Sequence, residues 1–285
     1  MRRRSTTSRL PPSRRPPDPS TSVADTSPAI HDTGTGSALL FLHAFPLDAS
    51  QWDHQVAALA GDHRCLRPDM WGCGASSPPP GDTPSLDAFA DRVLRALDER
   101  GVDSFAVVGL SMGGYLAFSL LRLAARRITA LALCSTRATA DSDSVRSDRL
   151  AVAERVLDAR SVEGVVEANV ERLLGPRARA EVHVTDPLRA RIRRCSPAGV
   201  AYASRAMAAR PDSTALLPSI AIPTLVVAGR ADAVIPSDQT HALAHSITAS
   251  RLVELDCGHL GNLEEPEAFT AVLADFLRTH PARAS

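Results

Sequence analysis

The chain has 285 residues, 44% of them hydrophobic, which is enough for a sizeable core. Its 32 basic residues, every one an arginine, balance 32 acidic ones, and a neutral chain without a basic face argues against dedicated nucleic-acid binding. Five cysteines without a C-x-x-C argue against a disulfide framework and a structural zinc site, and no apolar run approaches the ~18 residues of a membrane-spanning helix.

Residues 1–22 stand apart, with six Arg, five Pro and a single acid, Asp18. Such a segment buries too little apolar surface to offset its ordering entropy, so it is predicted to be disordered. No apolar stretch of about 7–15 residues follows its Arg-rich start, so it does not read as a secretory signal, and a cytoplasmic location is expected.

From residue 38 onward short apolar runs alternate with longer amphipathic ones. In chain order the pattern predicts a strand at 39–43, a helix at 51–59, a strand at 65–67 and a helix at 86–100. A strand at 105–109, a helix at 112–126 and a strand at 131–134 follow. After a long interval come a strand at 224–228, a helix at 239–245, a strand at 252–255 and a helix at 266–277. Ala106-Val107-Val108 and Leu225-Val226-Val227 are continuously apolar, as strands covered on both faces are. The alternation predicts an α/β fold, a mostly parallel sheet with helices on both faces. The interval carries no strand signal. It shows helical patterns at 147–159, 162–174, 187–194 and 198–208, and is too long for a plain connection. The expected organisation is therefore a core of residues 23–136 and 211–285 with a helical cap inserted at 137–210.

The sharpest chemical signal is Gly109-Leu110-Ser111-Met112-Gly113, directly after one predicted strand and opening a helix. That is the context of a nucleophile elbow, in which a tight turn lifts a serine hydroxyl above the sheet. A serine hydroxyl needs a base, and His259 follows the strand at 252–255, at the end of a strand where α/β folds build sites. The base needs an orienting acid, and Asp232 follows the strand at 224–228. The order Ser111, Asp232, His259 is the one this constellation takes in a strand–elbow–helix fold. Asp256 lies too close to His259 in the chain to serve first. His241 and His245 have an i,i+4 spacing but lack the Glu of H-E-x-x-H, so they read as a helix face. His54, His63 and His183 read as ordinary surface or loop positions. An oxyanion hole needs two N–H donors: Met112, after the nucleophile, and one from the loop His43-Ala44-Phe45-Pro46.

Together these residues resemble the α/β-hydrolase superfamily. Residues 42–46 resemble its H-G-[FYW]-P loop, Asp69 to Ser76 its D-x-x-G-x-G-x-S loop, Gly229 to Pro236 its G-x-x-D-x-x-x-P segment, and Gly258-His259 its terminal G-H. The resemblance spans residues 38 to 279 and is nearest the carboxylesterase and enol-lactonase branch. It implies an α/β-hydrolase fold with a helical cap, Phe45 as the second oxyanion donor, and no cofactor or metal. It further implies hydrolysis of a small-molecule ester or lactone through an acyl-enzyme, with neither nucleic acid nor membrane as partner. Cofactor-free perhydrolase or haloperoxidase chemistry, C–C bond hydrolysis, and a small-molecule receptor on the same fold are the alternatives. Two departures stand out. Ala44 replaces the usual Gly, which would strain the loop if that position needs a positive φ. Cys257, two residues before His259, suggests that thiol reagents would inhibit by crowding the base. The segment 137–210 carries a net charge of +4 against −9 for the rest of residues 23–285, which raises the expectation of an anionic substrate.

Overall fold

The computed structural model describes residues 27–81 and 83–280; the expectation of disorder at 1–22 lies outside them. Among the described residues seven strands form one sheet: β1 (Ile30–Thr33), β2 (Ser37–Leu42), β3 (His63–Pro68), β4 (Phe105–Leu110), β5 (Ile128–Cys134), β6 (Thr224–Gly229) and β7 (Ser250–Leu255). Their order is β1-β3-β2-β4-β5-β6-β7, and all neighbours are parallel except β1, which runs antiparallel to β3 at the edge. Six of the seven follow the predicted strands. β1 escaped the pattern because Ile-His-Asp-Thr is short, polar and largely exposed, with only one partner to specify it.

The helices in chain order are α1 (Asp53–Leu59), α2 (Leu86–Asp98), α3 (Met112–Ala124), α4 (Asp143–Asp158), α5 (Glu163–Leu173), α6 (Pro176–Arg179), α7 (Val182–Arg193), α8 (Pro197–Ala208), α9 (Ser237–His245), α10 (Gly261–Glu264) and α11 (Pro266–Thr279). Alternate residues of the central strands enter opposite cores. Leu40, Val107, Leu131 and Val226 pack with the side that holds α2 and α3. Leu39, Val108, Ala132 and Leu225 pack with the side that holds α1 and α11. Burial on both faces is why these strands are continuously apolar.

Helices α4 to α8 all lie between β5 and β6. α4 begins four residues before its apolar pattern does, because the Ser142 side chain accepts from the Val145 N–H and caps it. α7 starts five residues before Pro187 and runs through it, forgoing one backbone hydrogen bond. Periodicity alone had made that proline a helix start. The short α6 and α10 have too few residues to show a period.

The junction of α7 and α8 is fastened to the loops of the core. Arg194 forks onto Asp48 at 2.6 and 3.0 Å, and the Ser196 N–H donates to the Gly72 carbonyl at 2.6 Å. Cys73 and Cys195 are joined by a disulfide across 122 residues of sequence. This corrects the expectation drawn from the cysteines: there is no framework, yet one cross-link exists. Local spacing carries no trace of it, because only the fold brings the two residues together. Cys65, Cys134 and Cys257 are free and buried. Thiol titration of denatured, unreduced protein should therefore find three thiols per chain, and five after reduction. A cross-link closing so long a loop contributes roughly 2–5 kcal/mol, so Cys195→Ser should lower the urea midpoint accordingly. Five thiols before reduction would mean that the bond is absent from that preparation.

Candidate active site

Ser111 stands between β4 and α3 with φ 55° and ψ −112°, a left-handed backbone that is rare outside glycine. Such strain persists only where the surroundings over-determine it. Here the Ser111 N–H donates to the Cys134 carbonyl at 2.9 Å, and the Ser111 carbonyl accepts from Gly114 N and Thr136 Oγ1, each at 2.9 Å. The flanking small residues are compulsory. A Cβ on Gly113 would stand 2.0 Å from the Leu42 carbonyl oxygen, and one on Gly109 would stand 2.4 Å from the Gly113 oxygen. Met112 is the first residue of α3, so its N–H has no acceptor within the helix.

Ser111, Asp232 and His259 follow β4, β6 and β7, three parallel strands, so all three lie at the carboxyl edge of the sheet. The His259 ring is fully buried. Its Nδ1 lies 2.8 and 3.0 Å from the two carboxylate oxygens of Asp232. Its Nε2 is buried with no hydrogen-bond partner among the described residues. With Nδ1 donating to the carboxylate, Nε2 keeps its lone pair and can accept a proton. Asp232 Oδ1 also accepts from the Val234 and Ile235 N–H groups at 2.8 and 2.9 Å. Burial alone would raise the pKa of Asp232. His259 and the two N–H groups outweigh it and hold the carboxyl below its ordinary value. Asp232 is thus a fixed anion at neutral pH. Asp256, passed over in the sequence, instead pairs at 3.5 Å with Arg177, both well exposed.

The loop after β2 is tightly held. The buried His43 donates from Nδ1 to the Ala44 carbonyl at 2.9 Å and accepts at Nε2 from the Met70 N–H at 2.9 Å, which identifies the neutral tautomer. The Ala44 N–H donates to Gln51 Oε1 at 2.8 Å. Ser111, Ser135 and Arg160 are the non-glycine residues of positive φ among those described, so Ala44 carries no left-handed strain. The substitution that threatened this loop is harmless. Phe45 follows, nearly buried, with a cis peptide bond to Pro46.

Several supporting residues had no sequence signal beyond their polarity. Gln51 and Asn262 are fully buried and bonded to each other, Asn262 Nδ2 donating to the Gln51 carbonyl at 2.8 Å. They tie the His43–Pro46 loop to α10, the short helix that follows His259. The Glu264 carboxylate accepts from the N–H groups of Gly175, Gly258 and Leu260 at 2.8, 2.9 and 3.1 Å. It clamps both neighbours of His259 and the start of α6, and burial pushes its pKa up. Gly258 is compulsory there, since a Cβ on it would stand 2.2 Å from the Gly175 nitrogen. Asp69 ties its own loop to the segment after β2, accepting from Ala75 N at 2.8 Å and from Ala49 N at 2.7 Å.

Cys257 does not behave as expected. It is 5% exposed, and burial pushes its thiol up to about 12, so at neutral pH it is protonated and inert. Thiol reagents should spare the site. His241 bonds to Glu254 at 2.9 Å on an exposed face, while His54 and His63 bond to Thr270 and Ser37. His183 is exposed, 3.5 Å from Glu181.

Comparison with known proteins agrees with this architecture. A family model described as the α/β hydrolase fold matches residues 37–266. A thermophilic esterase from Thermogutta terrifontis, solved with malate bound, superimposes with a TM-score of 0.85 at 38% identity, over 88% of this chain and 93% of that one. The enol-lactonase from Burkholderia xenovorans superimposes at 0.80 with 29% identity, over 88% and 96%. The curated 3-oxoadipate enol-lactonase 1 of Acinetobacter baylyi is 27% identical, over 88% of this chain and 92% of that protein. The parallel sheet, the strained serine turn and the family match agree, and the chain belongs to the α/β-hydrolase superfamily.

Proposed function

We propose that this enzyme is a serine hydrolase that cleaves a carboxylic ester or lactone through an acyl-enzyme. The observation that carries the reading is the buried Asp232–His259 pair, which leaves Nε2 unpartnered at the same sheet edge as Ser111. In this reading Ser111 Oγ attacks the substrate carbonyl while His259 Nε2 takes the hydroxyl proton. Asp232 stabilises the imidazolium that results. The N–H groups of Met112 and Phe45 hold the oxyanion. Collapse expels the alcohol, which leaves with the proton from His259. Water then adds to the acyl-enzyme, His259 again taking a proton, and the carboxylic acid departs. The chemistry needs acids, bases and dipoles alone. The esterase and enol-lactonase relatives support ester and lactone carbonyls as the substrate class.

The test is a panel of p-nitrophenyl esters from acetate upward, combined with a phosphonate that labels activated serines. Turnover should occur, and the label should sit on Ser111 at one per chain. A label on any other serine would overturn the assignment of the nucleophile. No described helix is long and apolar enough to cross a membrane. The cytoplasmic location expected from the sequence and the Cys73–Cys195 cross-link pull in opposite directions, since structural disulfides persist mainly in oxidising compartments.

A further inference from the structure

His259 sits on the loop between β7 and α10, outside any regular element. Its bond to Asp232 fixes the ring only if the backbone beneath the ring is fixed as well. The Glu264 carboxylate holds that backbone on both sides. Oε2 accepts from the Gly258 N–H at 2.9 Å, and Oε1 accepts from the Leu260 N–H at 3.1 Å. Oε2 also accepts from the Gly175 N–H at 2.8 Å, at the entry to α6, so the inserted helices share the same clamp.

These partners are all N–H donors, which suit an anion. Yet no arginine pairs with Glu264 among the described residues. A crevice of about 170 Å³ beside it is lined by Arg177, Glu181, His183, Asp256, Cys257 and Glu265. There Arg177 pairs with Asp256 and His183 with Glu181, each at 3.5 Å, and the Cys257 thiol is neutral. Glu264 is therefore an anion held by dipoles alone, and burial raises its pKa. The charge that favours its ionised form is that of His259. In the proposed reaction this charge arises when His259 takes the proton of Ser111. An interaction that grows as charge develops lowers the barrier, whereas one present throughout does not.

We infer that Glu264 is a positioning residue for the base: it fixes the backbone on both sides of His259 and adds a second negative charge, beside that of Asp232, for the imidazolium. The inference rests on the serine-hydrolase reading, in which His259 takes up a proton.

The test measures kcat, KM and the pH profile of p-nitrophenyl acetate hydrolysis in wild type, Glu264→Gln and Glu264→Asp. Glutamine has one acceptor oxygen for three donors and no charge. Its kcat should fall roughly ten- to a hundredfold, the size of one or two charge-assisted hydrogen bonds, with KM within about twofold. Loss of a neighbouring anion disfavours the imidazolium, so the acid limb of its kcat/KM profile should move down by roughly half a pH unit. Aspartate keeps the charge but is one methylene short, so it should lose kcat while the acid limb stays near that of wild type. A Glu264→Gln enzyme with kcat within twofold of wild type, or with an unmoved acid limb, overturns the inference. If Glu264→Gln does not fold, Glu264→Asp decides: an undiminished kcat overturns it. A second readout needs no turnover. The downfield proton resonance of the His259 Nδ1–H donated to Asp232 should be present in wild type and shifted or broadened in both variants. An identical resonance in all three overturns the positioning role. If wild type hydrolyses no ester, the hydrolase reading fails, and the resonance alone decides whether Glu264 positions His259.

Discussion

Ser111→Ala should lower kcat/KM for ester hydrolysis by roughly four to six orders of magnitude, the range seen when the nucleophile of a serine triad is removed. The substitution deletes one oxygen and leaves the turn intact, since the turn is held by the backbone bonds of Ser111 to Cys134, Gly114 and Thr136. Circular dichroism should be unchanged. Residual turnover would come from the Met112 and Phe45 N–H groups alone. Asp232→Asn makes the companion case, with an expected loss of about 10⁴-fold. An amide in that position offers an N–H to Nδ1 and so favours the wrong imidazole tautomer. It also removes the anion that His259 and the Val234 and Ile235 N–H groups stabilise. Initial rates on a p-nitrophenyl ester check both variants. A Ser111→Ala enzyme within tenfold of wild type would end the serine mechanism.

Asp141→Ala should destabilise the fold by about 3–5 kcal/mol, the cost of removing one partner from a buried ion cluster. The carboxylate is fully buried and bound by Arg137, Arg149 and Arg210. Without it three guanidinium groups repel one another, and Arg210 also lies over the Tyr115 ring, 3.9 Å from its centroid. Burial would raise the pKa of Asp141, but the bonds to Arg210 and Arg149 win and hold it at about 2. The depressed value sets the sign of the pH effect. The contribution is fully present above the unfolded value of about 3.9, and it is lost as pH falls towards 2. Urea melts at pH 7 and through the acid range check both statements. Asp141→Asn should be less damaging than Asp141→Ala, and its stability should depend less on pH below 4. A wild-type midpoint in Asp141→Ala would show that the arginines find other partners.

Much of this was legible in the sequence because the physics there is local. An elbow needs small residues two before and two after its nucleophile, and Gly109 and Gly113 are separated from backbone oxygens by no more than a glycine allows. Asp232 and His259 each follow an apolar strand, and parallel strands bring their carboxyl ends to one edge whatever their length. Continuous apolar runs in β4 and β6 report burial on both faces. These signals require neighbours only along the chain, so six strands and the three proposed catalytic residues could be read from order and spacing.

Tertiary structure decided everything that depends on partners distant in sequence. β1 has no apolar pattern of its own and exists because β3 offers an unpaired edge. Cys73 and Cys195 look like unrelated cysteines until the α7–α8 junction lies against the loop after β3. Glu264 has no visible role until Gly175, brought in after α5, supplies the third of its N–H donors. The segment 137–210 could be counted as positive, but the count does not say which charge is spent. Folding commits Arg137, Arg149 and Arg210 to the buried Asp141, while Arg172 bonds to Asn169 instead. Charge in a sequence is a sum, whereas charge in a site depends on which groups the fold pairs.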